Sequence, residues 1–185
     1  FACASDNAKP RAVANYRMVL IGAGRVSCEL GPAWQRDGHE VLHVVSRTER
    51  SARPLGEQLG CPWTTSLSDA AGALADAQVV VVAVTDGLIA EVSEGISAMV
   101  SPNCVMVHLS GATPLDAVRT PGAVVWPIRS FNPKAGSVPL THAPTVLEAC
   151  SEPSMEVARR LAEAWEAEVT EASGEQRAAA HLAAA

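Results

Sequence analysis

Short apolar runs alternate with stretches whose apolar residues recur every three or four positions, and this alternation continues from residue 17 almost to the end of the chain. RMVLI at 17–21 reads as a strand. Residues 25–37 place Val26, Leu30, Ala33 and Trp34 at helical spacing, and Gly38 stops the helix. Pro32 removes the bond back to Cys28, which predicts a kink. A second strand is expected over 40–46 (EVLHVVS), then a weaker helix over 48–59 interrupted by Pro54, a short strand at 63–65, and a helix over 66–77 capped by Ser66 or Ser68. QVVVVAV at 78–84 is apolar except at its first residue, as a central parallel strand covered on both faces must be. Asp86 is expected to cap a helix reaching about residue 98. Strands follow at 103–109, 124–128 and 144–149. Over 154–165, Met155, Ala158, Leu161, Ala162 and Trp165 share one helical face, and a short strand at 168–171 precedes an alanine-rich helix from Glu175. Strands and helices alternating in this way predict an α/β fold with a doubly wound, mostly parallel sheet and right-handed crossovers.

Composition narrows the choice of partners. Of the 185 residues, 48% are hydrophobic but only 4% aromatic, so the core must be built from Ala, Val and Leu. The net charge is −6 with no Lys/Arg block, which argues against nucleic acid and acidic membranes as partners. The longest apolar run, 79–84, is far too short to cross a bilayer, and the polar start FACASDNAKPRAVANYR lacks a signal-type apolar segment. The five cysteines (Cys3, Cys28, Cys61, Cys104 and Cys150) contain no CxxC, so neither a disulfide framework nor a metal site is expected. Reduced thiols and the missing leader together predict a cytoplasmic protein.

The stretch VLIGAGRVS carries the first candidate chemistry. Gly22-Ala23-Gly24 follows a strand and opens a helix, as a dinucleotide-binding turn requires. The first glycine permits the turn and the second lets backbone approach a pyrophosphate, whose charge the amides of Arg25 and Val26 at the helix start would favour. Ser27 stands at the third position of the fingerprint, where Gly or Ala is usual. The competing reading is a plain structural turn. Where an NAD site offers Asp or Glu after the second strand, this chain offers Ser46-Arg47-Thr48, with Arg50 nearby. A guanidinium flanked by hydroxyls suits a 2′-phosphate, so NADP is the expected cofactor, although Arg47 as a solvated loop residue is the plainer alternative.

Ligands of such sheets lie outside the carboxyl ends of the strands. Those ends carry Val84, Thr85 and Asp86, then His108 through Gly111, then Trp126 through Asn132. Thr85, Ser110, Arg129 and Ser130 are candidates to line a nicotinamide and substrate pocket, with Arg129 able to clamp a carboxylate. Asp86 reads more simply as a helix cap, His108 as a core histidine and Trp126 as packing. Arg177 and His181, four residues apart, share a helical face, and a histidine there can give a proton near neutral pH.

GAGRVS at 22–27, DGHEV at 37–41, SRT at 46–48, AVTD at 83–86, HLSGATPLDAV at 108–118, WPIRSF at 126–131 and EQRAAAHLAAA at 175–185 occur in order. In this the chain resembles the Rossmann-like proteins that carry a DUF2520 helical domain, within the 6-phosphogluconate-dehydrogenase-like superfamily. Pyrroline-5-carboxylate reductases and F420-dependent NADP oxidoreductases are more distant relatives. The family usually has Gly in place of Ser27 and a strand-six motif similar to HPLQTF, so Trp126 and Arg129 stand where His and Gln are usual. The polar, alanine-rich residues 1–16 read as a flexible lead-in. The resemblance implies a dinucleotide-binding domain over 17–172, and over 173–185 the first helix of a helical domain that completes the active site and builds a homodimer.

The expected activity is an NADP(H)-linked oxidoreductase acting on a small carbonyl, imine or hydroxy-acid substrate. Gly22, Ala23, Gly24, Arg25, Val26, Val84 and Thr85 would hold the cofactor, and Ser46, Arg47 and Thr48 its 2′-phosphate. Ser110 and Arg129 would orient the small-molecule substrate, and His181 would donate the proton. The alternative is an NADP-binding sensor or interaction module without turnover.

Overall fold

The computed structural model describes residues 15–119, 121–131 and 139–184. Most of the expected lead-in, Cys3 and Asn132 lie outside them. Eight strands form one sheet in the order β3-β2-β1-β4-β5-β6-β7-β8. They are β1 Arg17–Ile21, β2 Glu40–Val45, β3 Trp63–Thr64, β4 Val79–Val82, β5 Val105–His108, β6 Gly122–Pro127, β7 Pro144–Ala149 and β8 Glu168–Glu171. The helices are α1 Arg25–Arg36, α2 Glu49–Leu59, α3 Ala71–Asp76, α4 Ile89–Ile96, α5 Glu152–Glu163 and α6 Gly174–Ala184. This is the doubly wound α/β architecture that the alternation predicts.

Alternation within the strands divides the core between two faces. Met18 and Leu20 of β1, with Val79 and Val81 of β4, pack with Trp34 of α1, Leu55 of α2 and Leu161 of α5. Val19 and Ile21, with Val80 and Val82, pack with Leu74 of α3 and Ile89 and Ile96 of α4. All four valines of β4 are buried, because helices cover both sides. Trp34 is fully buried, and its indole N–H donates to Leu161 O at 3.0 Å, tying α1 to α5.

The sheet is mostly parallel, as expected: β3 to β6 are parallel and β8 is parallel to β7, while β7 runs antiparallel to β6, with Trp126 opposite Val146. The helical assignments of α1 and α2 continue through Pro32 and Pro54. In α2 the buried Leu55 and Leu59 and the contact of Gly56 with Trp63 outweigh one lost hydrogen bond. The expected helix over 66–77 is a 3-10 turn followed by α3. Ser66 and Ser68 bond each other at 2.7 Å, and neither caps it. Asp86 likewise begins a 3-10 turn ahead of α4, with no side-chain cap bond from the preceding Thr85. Ser151, not an expected cap, accepts from Ser154 N at the start of α5.

A polar cluster closes the edge of the sheet away from the strands' carboxyl ends. Arg160 of α5 is buried and pairs with Asp37, while its Nη2 donates to Asn15 Oδ1 and Asp37 O. His39 is buried beside it, accepts from Tyr16 N at 3.0 Å and stacks on the Tyr16 ring. Burial, reinforced by the Arg160 charge, pushes His39 down to about 4 against an opposing pull from Asp37. His108 at the end of β5 is also pushed down to about 4, by burial first and then by the Arg177 charge.

Both imidazoles are therefore neutral in the folded chain near pH 7. Below the ordinary value of 6.5, the unfolded chain takes up protons that the folded chain refuses until about 4. Their contribution to stability is complete above pH 6.5 and is lost as the pH falls from 6.5 towards 4. Urea unfolding across that range should show a falling midpoint, and His39→Gln should flatten part of the slope.

Candidate functional site

The strand order reverses its direction of growth at β1 and β4, and a crevice opens there at their carboxyl ends. Gly22 makes the turn. Its φ is +104°, and a Cβ at this position would lie 2.2 Å from Ala83 O, so only glycine fits. Gly22 N donates to Val45 O at 2.7 Å, and Ser27 Oγ donates to Gly22 O at 2.6 Å. Ser27 is buried, and its hydroxyl ties α1 to the turn at the position where the fingerprint asks only for a small residue.

Gly24 is different. Its φ is −84°, within reach of any residue, and a Cβ there would meet nothing within 4 Å. The constraint on it is the open space in front. Cys28 N donates to Gly24 O at 3.0 Å, closing the first turn of α1, so the amides at 24–27 stand ahead of the helical ladder.

A cavity of about 400 Å³ lies against this turn. Gly22, Ala23 and Gly24 form its floor, with Ala83, Val84 and Thr85 beside them. Leu67, Leu88 and Val92 supply apolar walls that sequence reasoning missed, since nothing local marks them. Ser46, Arg47, Thr48 and Ser51 form the rim at the end of β2, and among the described residues no Asp or Glu lines the cavity. Ser51 Oγ joins Ser46 Oγ at 2.8 Å and Thr48 Oγ1 at 2.9 Å. Ser51 was also missed, although its place three residues after Thr48 puts it on the same turn.

A second cavity of about 120 Å³, on the other side of Ala83 and Val84, is lined by Val26, Asp86, Leu109 and Ser110. Ser110 Oγ accepts from Ala112 N at 3.2 Å and Thr113 N at 3.0 Å, which shapes the loop and leaves its own hydrogen free to donate. Arg177 of α6 staples that loop. It is buried, donates to Glu148 Oε2 at 2.8 Å, and reaches Ser110 O and Gly111 O.

Arg25, Arg129 and His181 line neither cavity. Arg25 is exposed at the first residue of α1. His181 is half-buried, lies edge-on to Trp126 with ring centroids 5.4 Å apart, and leaves Nδ1 without a hydrogen-bond partner. A Cβ on Gly111 would lie 2.7 Å from that nitrogen, so His181 abuts the Ser110 loop. Arg129, two residues past β6, pairs with Glu29 of α1 at 3.0 Å. Among the described residues, no group of three His, Cys, Asp or Glu could hold a metal, and no helix is long and apolar enough to cross a membrane.

The two glycines separate fold from binding. Gly22→Ala should cost on the order of 1–3 kcal/mol of stability through its positive φ and its clash. Gly24→Ala should melt like the wild type yet lose roughly tenfold or more in NADPH affinity, because its methyl group enters the crevice. Thermal unfolding and fluorescence titration of both variants check this contrast.

Comparison with known proteins agrees with this geometry. The family model for the Rossmann-like domain matches residues 4–144. No curated protein matches the sequence. Among solved structures, a protein of Bacteroides fragilis named as a candidate NADP oxidoreductase is 30% identical, with a TM-score of 0.78, over 92% of this chain and 65% of its own. Prephenate dehydrogenase from Aquifex aeolicus, in complex with hydroxyphenyl propionate and NAD+, is 11% identical with a TM-score of 0.77, over 90% of this chain and 63% of its own. 1-Pyrroline-5-carboxylate reductase from Streptococcus pyogenes is 15% identical with a TM-score of 0.64, over 88% of this chain and 60% of its own. The chain thus spans just under two thirds of the length of each of these structures. With the Gly22 turn, the crevice at the reversal of strand order and a match over most of its length, the chain belongs to the Rossmann-like domain family.

Proposed function

We propose that the chain is the NADP(H)-binding domain of an oxidoreductase acting on a small carbonyl, imine or hydroxy-acid substrate. The observation that carries this reading is the β2 rim of the larger cavity: Arg47 with three hydroxyls and, among the described residues, no carboxylate. A ribose with free hydroxyls favours an acidic acceptor there, whereas a 2′-phosphate favours a cation and donors. The open space before Gly24 and the amides at 24–27 suit a diphosphate. Leu67, Leu88 and Val92 suit an adenine ring. The name of the Bacteroides fragilis protein supports the same choice.

When bound, the cofactor supplies the hydride, and the protein supplies position and field. Val26, Leu109 and Ser110 flank the smaller cavity, where the nicotinamide end would lie. Ser110 keeps a hydroxyl proton to give to a substrate oxygen or nitrogen. His181, whose Nδ1 has no partner, is the proton donor in this reading. The resemblance to DUF2520 proteins adds that α6 opens a helical domain that completes the substrate site and carries a homodimer contact, in a cytoplasmic protein.

Titration with NADPH and NADH tests the cofactor assignment. Arg47→Ala should weaken NADPH binding by roughly tenfold or more while leaving NADH binding nearly unchanged. Equal affinity for NADPH in the variant and the wild type overturns the choice of NADP.

A further inference from the structure

We propose that Arg129 is the anchor for a carboxylate on the substrate, which makes the substrate class a small 2-oxo, 2-hydroxy or imino acid. This rests on the dinucleotide reading above.

Arg160 and Arg177 are buried, Arg129 is half-buried with a side chain as covered as that of Arg160, and the first two show what a structural strut looks like in this protein. Arg160 divides its donors between Asp37 and Asn15, and Arg177 divides its donors between Glu148 and the carbonyls of Ser110 and Gly111. Arg129 is built differently. Its side chain is 9% exposed, and its Nη2 meets Glu29 Oε2 at 3.0 Å. Its Cζ lies 4.8 Å from the centroid of Phe131, which covers one face of the guanidinium. Nε and Nη1 are buried and, among the described residues, have no hydrogen-bond partner. Donors of a cation left without acceptors inside a protein are costly, so their retention points to an acceptor that arrives with a ligand.

Position and charge indicate which ligand. Arg129 lies two residues past β6, on the carboxyl edge of the sheet that also carries the Gly22 turn and the Ser110 loop. Glu29, its partner, belongs to α1, the helix whose Val26 lines the smaller cavity with Leu109 and Ser110. Glu29 is 40% exposed and its charge is screened by water, whereas the guanidinium it steadies is not. A planar two-oxygen anion matches the fork of donors.

The test uses the full-length protein as wild type, Arg129→Gln and Arg129→Lys, with NADPH affinity measured first by fluorescence. Each NADP-loaded form is then titrated with glyoxylate, pyruvate and 2-oxobutyrate, and with their methyl esters, by saturation-transfer NMR. The wild type should bind at least one acid roughly tenfold or more tightly than its ester. Arg129→Gln should lose that preference with NADPH affinity unchanged, and Arg129→Lys should fall between, keeping the charge but not the fork. Equal binding of acid and ester by the wild type, binding of none of the three acids, or a preference that survives Arg129→Gln overturns the inference. The wild-type comparison alone decides the matter if Arg129→Gln does not fold. Failure of the wild type to bind NADPH overturns the dinucleotide reading instead, and the same acid and ester titration of the free protein then judges Arg129 on its own.

Discussion

The contact between Gly22 and the carbonyl of Ala83 is the constraint on which the site depends. It forces a glycine with positive φ at the end of β1 and presses that turn against β4. The same residue gives its amide to Val45 of β2 and takes the Ser27 hydroxyl of α1 on its carbonyl. Three strands and one helix thus meet at a single peptide. Its rigidity fixes where the amides at 24–27 point, and the crevice beside them exists because β1 and β4 are neighbours whose connections leave in opposite directions.

Around that centre the polar groups divide into those that hold the fold and those left open. Arg160 and Arg177 are buried cations whose donors reach acceptors at opposite edges of the sheet. His39 and His108 are held neutral by burial and act as acceptors for backbone amides, of Tyr16 and Ser110 respectively. Arg47 lies on the cavity rim, where no described Asp or Glu joins it in the lining. Buried nitrogens without partners among the described residues belong to four histidines, His39, His43, His108 and His181, and to one cation, Arg129. Arg129 differs from the histidines in leaving two donors of a full charge open, and a ligand can complete such a group.

The parts that were legible in the sequence are those with a local cause. VLIGAG announced the turn because a strand, a positive-φ glycine and a helix start must be contiguous. VVVV at 79–82 announced a central strand because burial on both faces leaves no polar position. The antiparallel β7 could not be read, since strand direction leaves no trace in PTVLEA. Pro54 misled because the packing of Leu55 and Leu59 is tertiary, and Asp86 misled because a short acidic side chain before a helix need not bond to it. Ser27 proved to be more than a small residue, contributing a buried bond that Gly could not make. The partners of Arg129 and Arg177, namely Glu29 and Glu148, come from distant segments and carry no mark of their role in sequence.

The central claim is that free amides behind Gly24 and a guanidinium at Arg47 receive one phosphorylated dinucleotide. Amide-resolved NMR during titration with NADPH tests it most directly. The account predicts that the largest shifts fall on the backbone N–H groups of Gly24, Arg25 and Val26 and on the Arg47 side chain, with the Arg47 response absent when NADH is used. Shifts confined to other parts of the sheet, or none at millimolar NADPH, would contradict it.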